Sequence, residues 1–124
     1  MIETRSAFIS KIDEDTLKVI FKPNAYLTVE EYGQLYKHYQ KELGKSDAIK
    51  FLIIIQEGFK TEKKYLQFFM NHYRTDFKKA EAYIIVHPST KMFFKVGTKM
   101  VNHKYPIKLF EKEAEALSWL KSLK

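Results

Sequence analysis

Residues 49–55 read Ile49-Lys50-Phe51-Leu52-Ile53-Ile54-Ile55, an apolar run broken by one lysine. A strand with one wet face alternates apolar and polar side chains, because successive side chains point to opposite faces. This run does not alternate, so it predicts a strand covered on both faces, as in a parallel sheet flanked by helices. Outward from it, Gly58 breaks the run and Thr61 opens a helical pattern over 62–77, with Tyr65, Leu66, Phe68, Phe69, Tyr73 and Phe77 inward. Ala82-Tyr83-Ile84-Ile85-Val86 predicts a second buried strand. His87-Pro88-Ser89-Thr90 ends it and caps a third helix over about 90–102.

On the N-terminal side, Thr28 with Glu31 three residues later forms a capping box. The helix behind it carries Val29, Tyr32, Leu35, Tyr36, Tyr39 and Leu43 at three- and four-residue steps, and Gly44 stops it. Further upstream, residues 4–12 and 16–22 read as strands joined by the acidic turn Asp13-Glu14-Asp15, an antiparallel hairpin ended by Pro23-Asn24. Downstream, Pro106 precedes a short strand from Ile107 to Phe110. A helix over 112–123 turns Ala116, Leu117, Trp119, Leu120 and Leu123 inward. The order β-β-α-β-α-β-α-β-α predicts an α/β fold: a mixed sheet opening with a hairpin, parallel central strands and about four helices. Helices on both faces, or mainly on one, are both compatible with that order. No repeat, linker or low-complexity tract interrupts the 124 residues, so 1–124 is expected to be a single domain.

Composition narrows the chemistry. No cysteine occurs, which removes disulfides, zinc-thiolate sites and thiol catalysis. The four histidines, His38, His72, His87 and His103, lack zinc-site spacing, and no metal is expected. His72 is expected to pack on its helix's apolar side and His38 to face solvent. No nucleophile elbow, phosphate loop or Gly-x-Gly-x-x-Gly is present, and no carboxylates form an acid–base pair. Catalytic residues and cofactors are expected to be absent. No apolar run reaches the roughly 18 residues of a membrane span, and the first residues lack a secretory pattern, so a cytoplasmic protein is expected.

The formal net charge is +7, unevenly spread. Residues 1–58 hold 8 bases and 9 acids, whereas residues 59–110 hold 11 bases and 3 acids. Such a field draws phosphates, anionic lipid or an acidic partner. The starts of the helices after the two buried strands should emerge at one edge of the sheet, where unpaired N–H groups bind anions. Lys60, Thr61, Lys64, His87, Ser89, Thr90, Lys91 and Lys95 are therefore the candidate anion or partner site. Lys91, Lys95 and Lys99 line one face of the third helix, and Met92, Phe93, Phe94 and Met100 lie on its broad apolar arc. That arc is the candidate for a contact with a second copy of the chain or for a ligand cleft. Nucleic acid is not expected as a partner, since no helix-turn-helix or RNP-like segment occurs.

Three stretches carry a family resemblance. They are Leu17-Lys18-Val19-Ile20-Phe21-Lys22-Pro23 with the helix from Thr28, Ile84-Ile85-Val86-His87-Pro88-Ser89-Thr90-Lys91, and Pro106-Ile107-Lys108-Leu109-Phe110 with the helix containing Ala116-Leu117-Ser118-Trp119-Leu120. Together they resemble the SpoIIAA-like fold of STAS domains, and in particular small uncharacterised bacterial STAS-like proteins. The resemblance implies a non-catalytic regulatory or protein-interaction module. The alternative is a binder of an anionic or amphipathic ligand, such as a lipid, in a cleft beside the third helix. In anti-sigma antagonists of this family, a serine opening the helix after the third strand is phosphorylated. The equivalent junction here is Gln56-Glu57-Gly58-Phe59-Lys60-Thr61-Glu62, without an Asp-Ser-Ser-Gly-like segment, and Thr61 is expected to be a helix N-cap.

Overall fold

The computed structural model describes residues 1–43, 49–62, 78–85 and 106–123. Strands β1 (Ile2–Glu3), β2 (Ala7–Asp13), β3 (Thr16–Phe21) and β4 (Tyr26–Leu27) precede helix α1 (Val29–Leu43). Strands β5 (Ile49–Ile55), β6 (Lys60–Thr61), β7 (Lys78–Ile85) and β8 (Ile107–Phe110) follow, then helix α2 (Glu113–Ser122). The helices expected over 62–77 and 90–102 lie outside the described residues.

The main sheet has six strands in the order β1-β2-β3-β5-β7-β8. β1, β2 and β3 are antiparallel neighbours, and β3, β5, β7 and β8 run parallel. This is the mixed sheet the sequence predicts, with β5 at its centre. The registers Val19↔Ile53 and Ile53↔Tyr83 place hydrophobic side chains beside one another across three strands.

The pleat divides β5 between two cores. Ile49, Phe51, Ile53 and Ile55 join Ile9, Leu17, Val19 and Phe21 on one face, under Leu35 and Tyr39 of α1. The rings of Tyr39 and Phe51 meet at 5.0 Å, nearly edge to face. Leu52 and, more peripherally, Ile54 join Ala80, Ala82 and Ile84 on the other face, under Ala116 and Leu120 of α2. Helices therefore cover both faces. This is why β5 carries no apolar–polar alternation: neither of its faces meets water.

Lys50 is the exception in that run. It is only 6% exposed. Its amine donates to the carbonyl of Leu123 at 2.8 Å and stands 3.5 Å from the Asp15 carboxylate. A buried ammonium is tolerated when it is paired and hydrogen-bonded. Five strand segments differ from the sequence expectation. β1 precedes the hairpin, β4 and β6 form a separate parallel pair, and β7 starts at Lys78 instead of Ala82. The hairpin's first strand starts at Ala7, because Thr4 folds into a turn whose hydroxyl accepts from the Ala7 amide at 3.0 Å. His38, expected to face solvent, is half-buried.

Candidate functional site

The carboxyl ends of the parallel strands are where open α/β sheets place ligands. β3 ends at Phe21 and β5 at Ile55, and the two connections that follow are stitched together. Gln56 donates its side-chain amide to the Phe21 carbonyl at 3.1 Å. The Asn24 amide donates to the Glu57 carbonyl at 2.8 Å, and the Lys60 amide to the Ala25 carbonyl at 2.9 Å. Phe59 packs on Phe21 with ring centres 5.0 Å apart.

The closest approach is between Asn24 and Gly58. Both take positive φ, 61° and 78°. A Cβ at Gly58 would lie 2.0 Å from Asn24 Oδ1, so only glycine fits. Past this knot the chains pair as β4 and β6, with registers Tyr26↔Lys60 and Leu27↔Thr61. Leu27 is buried and Thr61 half-buried, whereas Tyr26 and Lys60 are exposed. Register partners in a ladder share a face, so Tyr26 and Lys60 stand side by side toward solvent.

The start of α1 is fixed in the same place. Thr28 accepts from the Glu31 amide at 3.1 Å through its hydroxyl, the bond the capping box predicts. Another amide of the first turn is held by a residue distant in sequence. The Glu62 carboxylate accepts from the Val29 amide at 3.1 Å. Glu31 instead approaches Arg5, with Nε and Oε1 3.6 Å apart, and its other carboxylate oxygen is buried without a hydrogen-bond partner among the described residues. The Arg5 side chain is 89% exposed. Lys22 pairs with Glu3 at 2.7 Å and lies 5.0 Å from the Phe8 ring centre.

Of the residues the sequence singled out, Lys60 and Thr61 lie at this edge. Lys64, His87, Ser89, Thr90, Lys91, Met92, Phe93, Phe94, Lys95 and Met100 lie outside the described residues. β7 ends at Ile85 beside Ile55, so the chain leaves β7 at the edge where it leaves β5. The charge here is mixed among the described residues: Arg5, Lys22 and Lys60 stand with Glu3, Glu31, Glu57 and Glu62. The lysine-rich part of 59–110 falls mostly beyond them.

Tyr26, Arg5 and Glu62 escape the sequence reading. Tyr26 had a weak signal, as an aromatic between the strand-ending Pro23-Asn24 and the Thr28 cap. Glu62 had none, because its role depends on the β4–β6 pairing.

Among the described residues, no cluster of His, Cys, Asp or Glu could hold a metal ion, and no helix is long and apolar enough to cross a membrane. The buried carboxylate of Glu81 accepts from the Tyr83 hydroxyl at 3.2 Å, on the face covered by α1. No curated protein matches the sequence. Among solved structures, the chain is similar to an uncharacterised protein of the DUF3478 family with a SpoIIAA-like fold, from Shewanella loihica PV-4. The TM-score is 0.63 at 21% identity, over 97% of this chain and 98% of that one. The fold is thus SpoIIAA-like, as the three sequence stretches imply. Residues 10–124 match the family described as a domain of unknown function, DUF7793, and the chain belongs to that family.

Proposed function

We propose that the chain is a non-catalytic regulatory or interaction module that docks a protein partner on the carboxyl edge of its sheet, centred on Tyr26 and Lys60. The observation that carries this reading is the β4–β6 pair. It holds a half-exposed aromatic, 51% accessible, beside an exposed lysine on backbone that is already hydrogen-bonded. Aromatic side chains on ordered backbone bind with little entropic cost, and they are enriched among the residues that dominate interface energies. The SpoIIAA-like fold agrees with a binding role without assigning one.

The test compares the wild-type chain with the Tyr26→Ala/Lys60→Glu double variant. Both side chains point to solvent, so thermal stability should stay within about 0.5 kcal/mol of wild type. Affinity chromatography from the source cells should recover a protein in stoichiometric amount with wild type, and that protein should be lost with the variant. A partner retained at equal affinity by the variant sinks the Tyr26–Lys60 assignment. Co-purified lipid or a phosphorylated small molecule in place of a protein supports the ligand-binding alternative.

A further inference from the structure

We propose that α2 is a strap, lifting from the sheet as a unit while the strands beneath stay folded, with Lys50 as its latch. α2 follows β8 after the exposed Glu111 and Lys112, and its Trp119 meets Phe110 of β8 with ring centres 5.6 Å apart. Its N-cap, Lys112, makes no side-chain capping bond, so the first turn lacks the local support that α1 gets from Thr28 and Glu62. Only Ala116 and Leu120 of this helix are fully buried, with Leu117, Trp119 and Leu123 partly packed. β5 differs on every count. It is hydrogen-bonded to a strand on each side and buries Ile49, Lys50, Phe51, Leu52, Ile53 and Ile55. Elements with few buried side chains open at lower free energy than the strands of a core.

Besides these apolar contacts, the described residues tie α2 to the sheet at each end through a charged group. Glu113 in the first turn pairs with Lys18 of β3 at 2.5 Å. At the other end the Lys50 ammonium donates to the Leu123 carbonyl, where the helix dipole is negative. The Lys18–Glu113 tie is partly exposed, at 26% and 42%, and so contributes little. The Lys50 tie is buried, which makes it the stronger of the two. When α2 lifts, Lys50 regains water and keeps the half-exposed Asp15 beside it, so opening strands no buried charge. An open state with an intact sheet is therefore accessible, and in it Leu52, Ala82 and Ile84 are uncovered. Tyr26 and Lys60 lie at the opposite end of the strands from the latch, so this inference stands apart from the docking reading.

Native-state hydrogen exchange on the whole chain tests it. The amides from Leu117 to Ser122 should exchange with one common protection, at least 100-fold below that of β5. Lys50→Met keeps most of the side chain's bulk and drops the amine. It should speed exchange in α2 about tenfold and leave β5 within twofold. Because the chain has no cysteine, a Lys18→Cys/Glu113→Cys pair can be joined selectively by a bismaleimide long enough to replace the Lys18–Glu113 ion pair, and that crosslink should bring α2 to the protection of β5. Protection that falls gradually toward the C-terminus would mean end fraying and overturn the strap. So would α2 and β5 exchanging together in wild type, or an α2 rate that neither Lys50→Met nor the crosslink changes.

Discussion

Gly58 is the residue on which the carboxyl edge depends. Its positive φ excludes most side chains, and Asn24 fills the space a Cβ would occupy. Gly58→Ala should therefore cost about 1–3 kcal/mol, read as a lower urea midpoint at unchanged slope. Adding Asn24→Gly removes the obstructing oxygen and should recover part of that loss, with the φ strain remaining. Asp13 makes a second prediction at this scale. The neighbouring Asp15, by its side chain and by its amide, which donates to Asp13 Oδ1 at 3.1 Å, holds the Asp13 carboxyl below the ordinary 3.8, aided by Thr16 and Lys50 and opposed by burial. A lowered pKa means the folded state prefers the charged form. The contribution is thus complete above 3.8 and is lost as pH falls through the lowered value. Unfolding midpoints measured from pH 6 downward should fall less steeply at the acid end for Asp13→Asn than for wild type.

Elements were legible where a period or a cap wrote them into neighbouring residues. β5 announced itself by lack of alternation, the hairpin by Leu17, Val19 and Phe21, and α1 by the Thr28 cap. Thr28→Ala should lower stability by about 1 kcal/mol, measured by thermal melting. A Glu62→Gln change made with it should cost less than the separate effects combined, since the two side chains stabilise the same first turn. β1, β4 and β6 are two residues each, too short to show any period. The first half of β7, Lys78-Lys79-Ala80-Glu81, looks polar, yet Ala80 is buried in the core under α2 and Glu81 is buried on the other face, its carboxylate accepting from the Tyr83 hydroxyl. Local sequence cannot report a hydrogen bond made by tertiary packing. The far end of β2 shows how an outer strand is kept from pairing with other chains. Lys11 and Asp13 are exposed, and the register with β3 shifts between them.

At the scale of the whole molecule, topology brings together residues that no local pattern links. Fold class, strand direction and the central position of β5 follow from composition and pattern. The candidate site followed less well, because it is built from pairs that only the folded chain brings together, such as Asn24 with Gly58, Tyr26 with Lys60 and Val29 with Glu62. Lys60 and Thr61 were found because they follow a buried strand, where the sheet ends and the backbone turns outward. The lysine excess over residues 59–110 predicts a basic patch. At the described part of the edge, however, acids from residues 1–62 stand among the bases, so a net count over a segment does not give the local field.

The bonds that tie Asn24, Ala25 and Leu27 to the segment after β5 make the entry to α1 and the exit from β5 a single rigid hinge plate. A molecule gripping either loop therefore pulls on the first turn of α1, and through Tyr39 and Phe51 it pulls on the middle of the sheet. A splice or insertion between residues 56 and 62 would unseat the first turn of α1, more than twenty residues upstream. Engineered tags belong elsewhere.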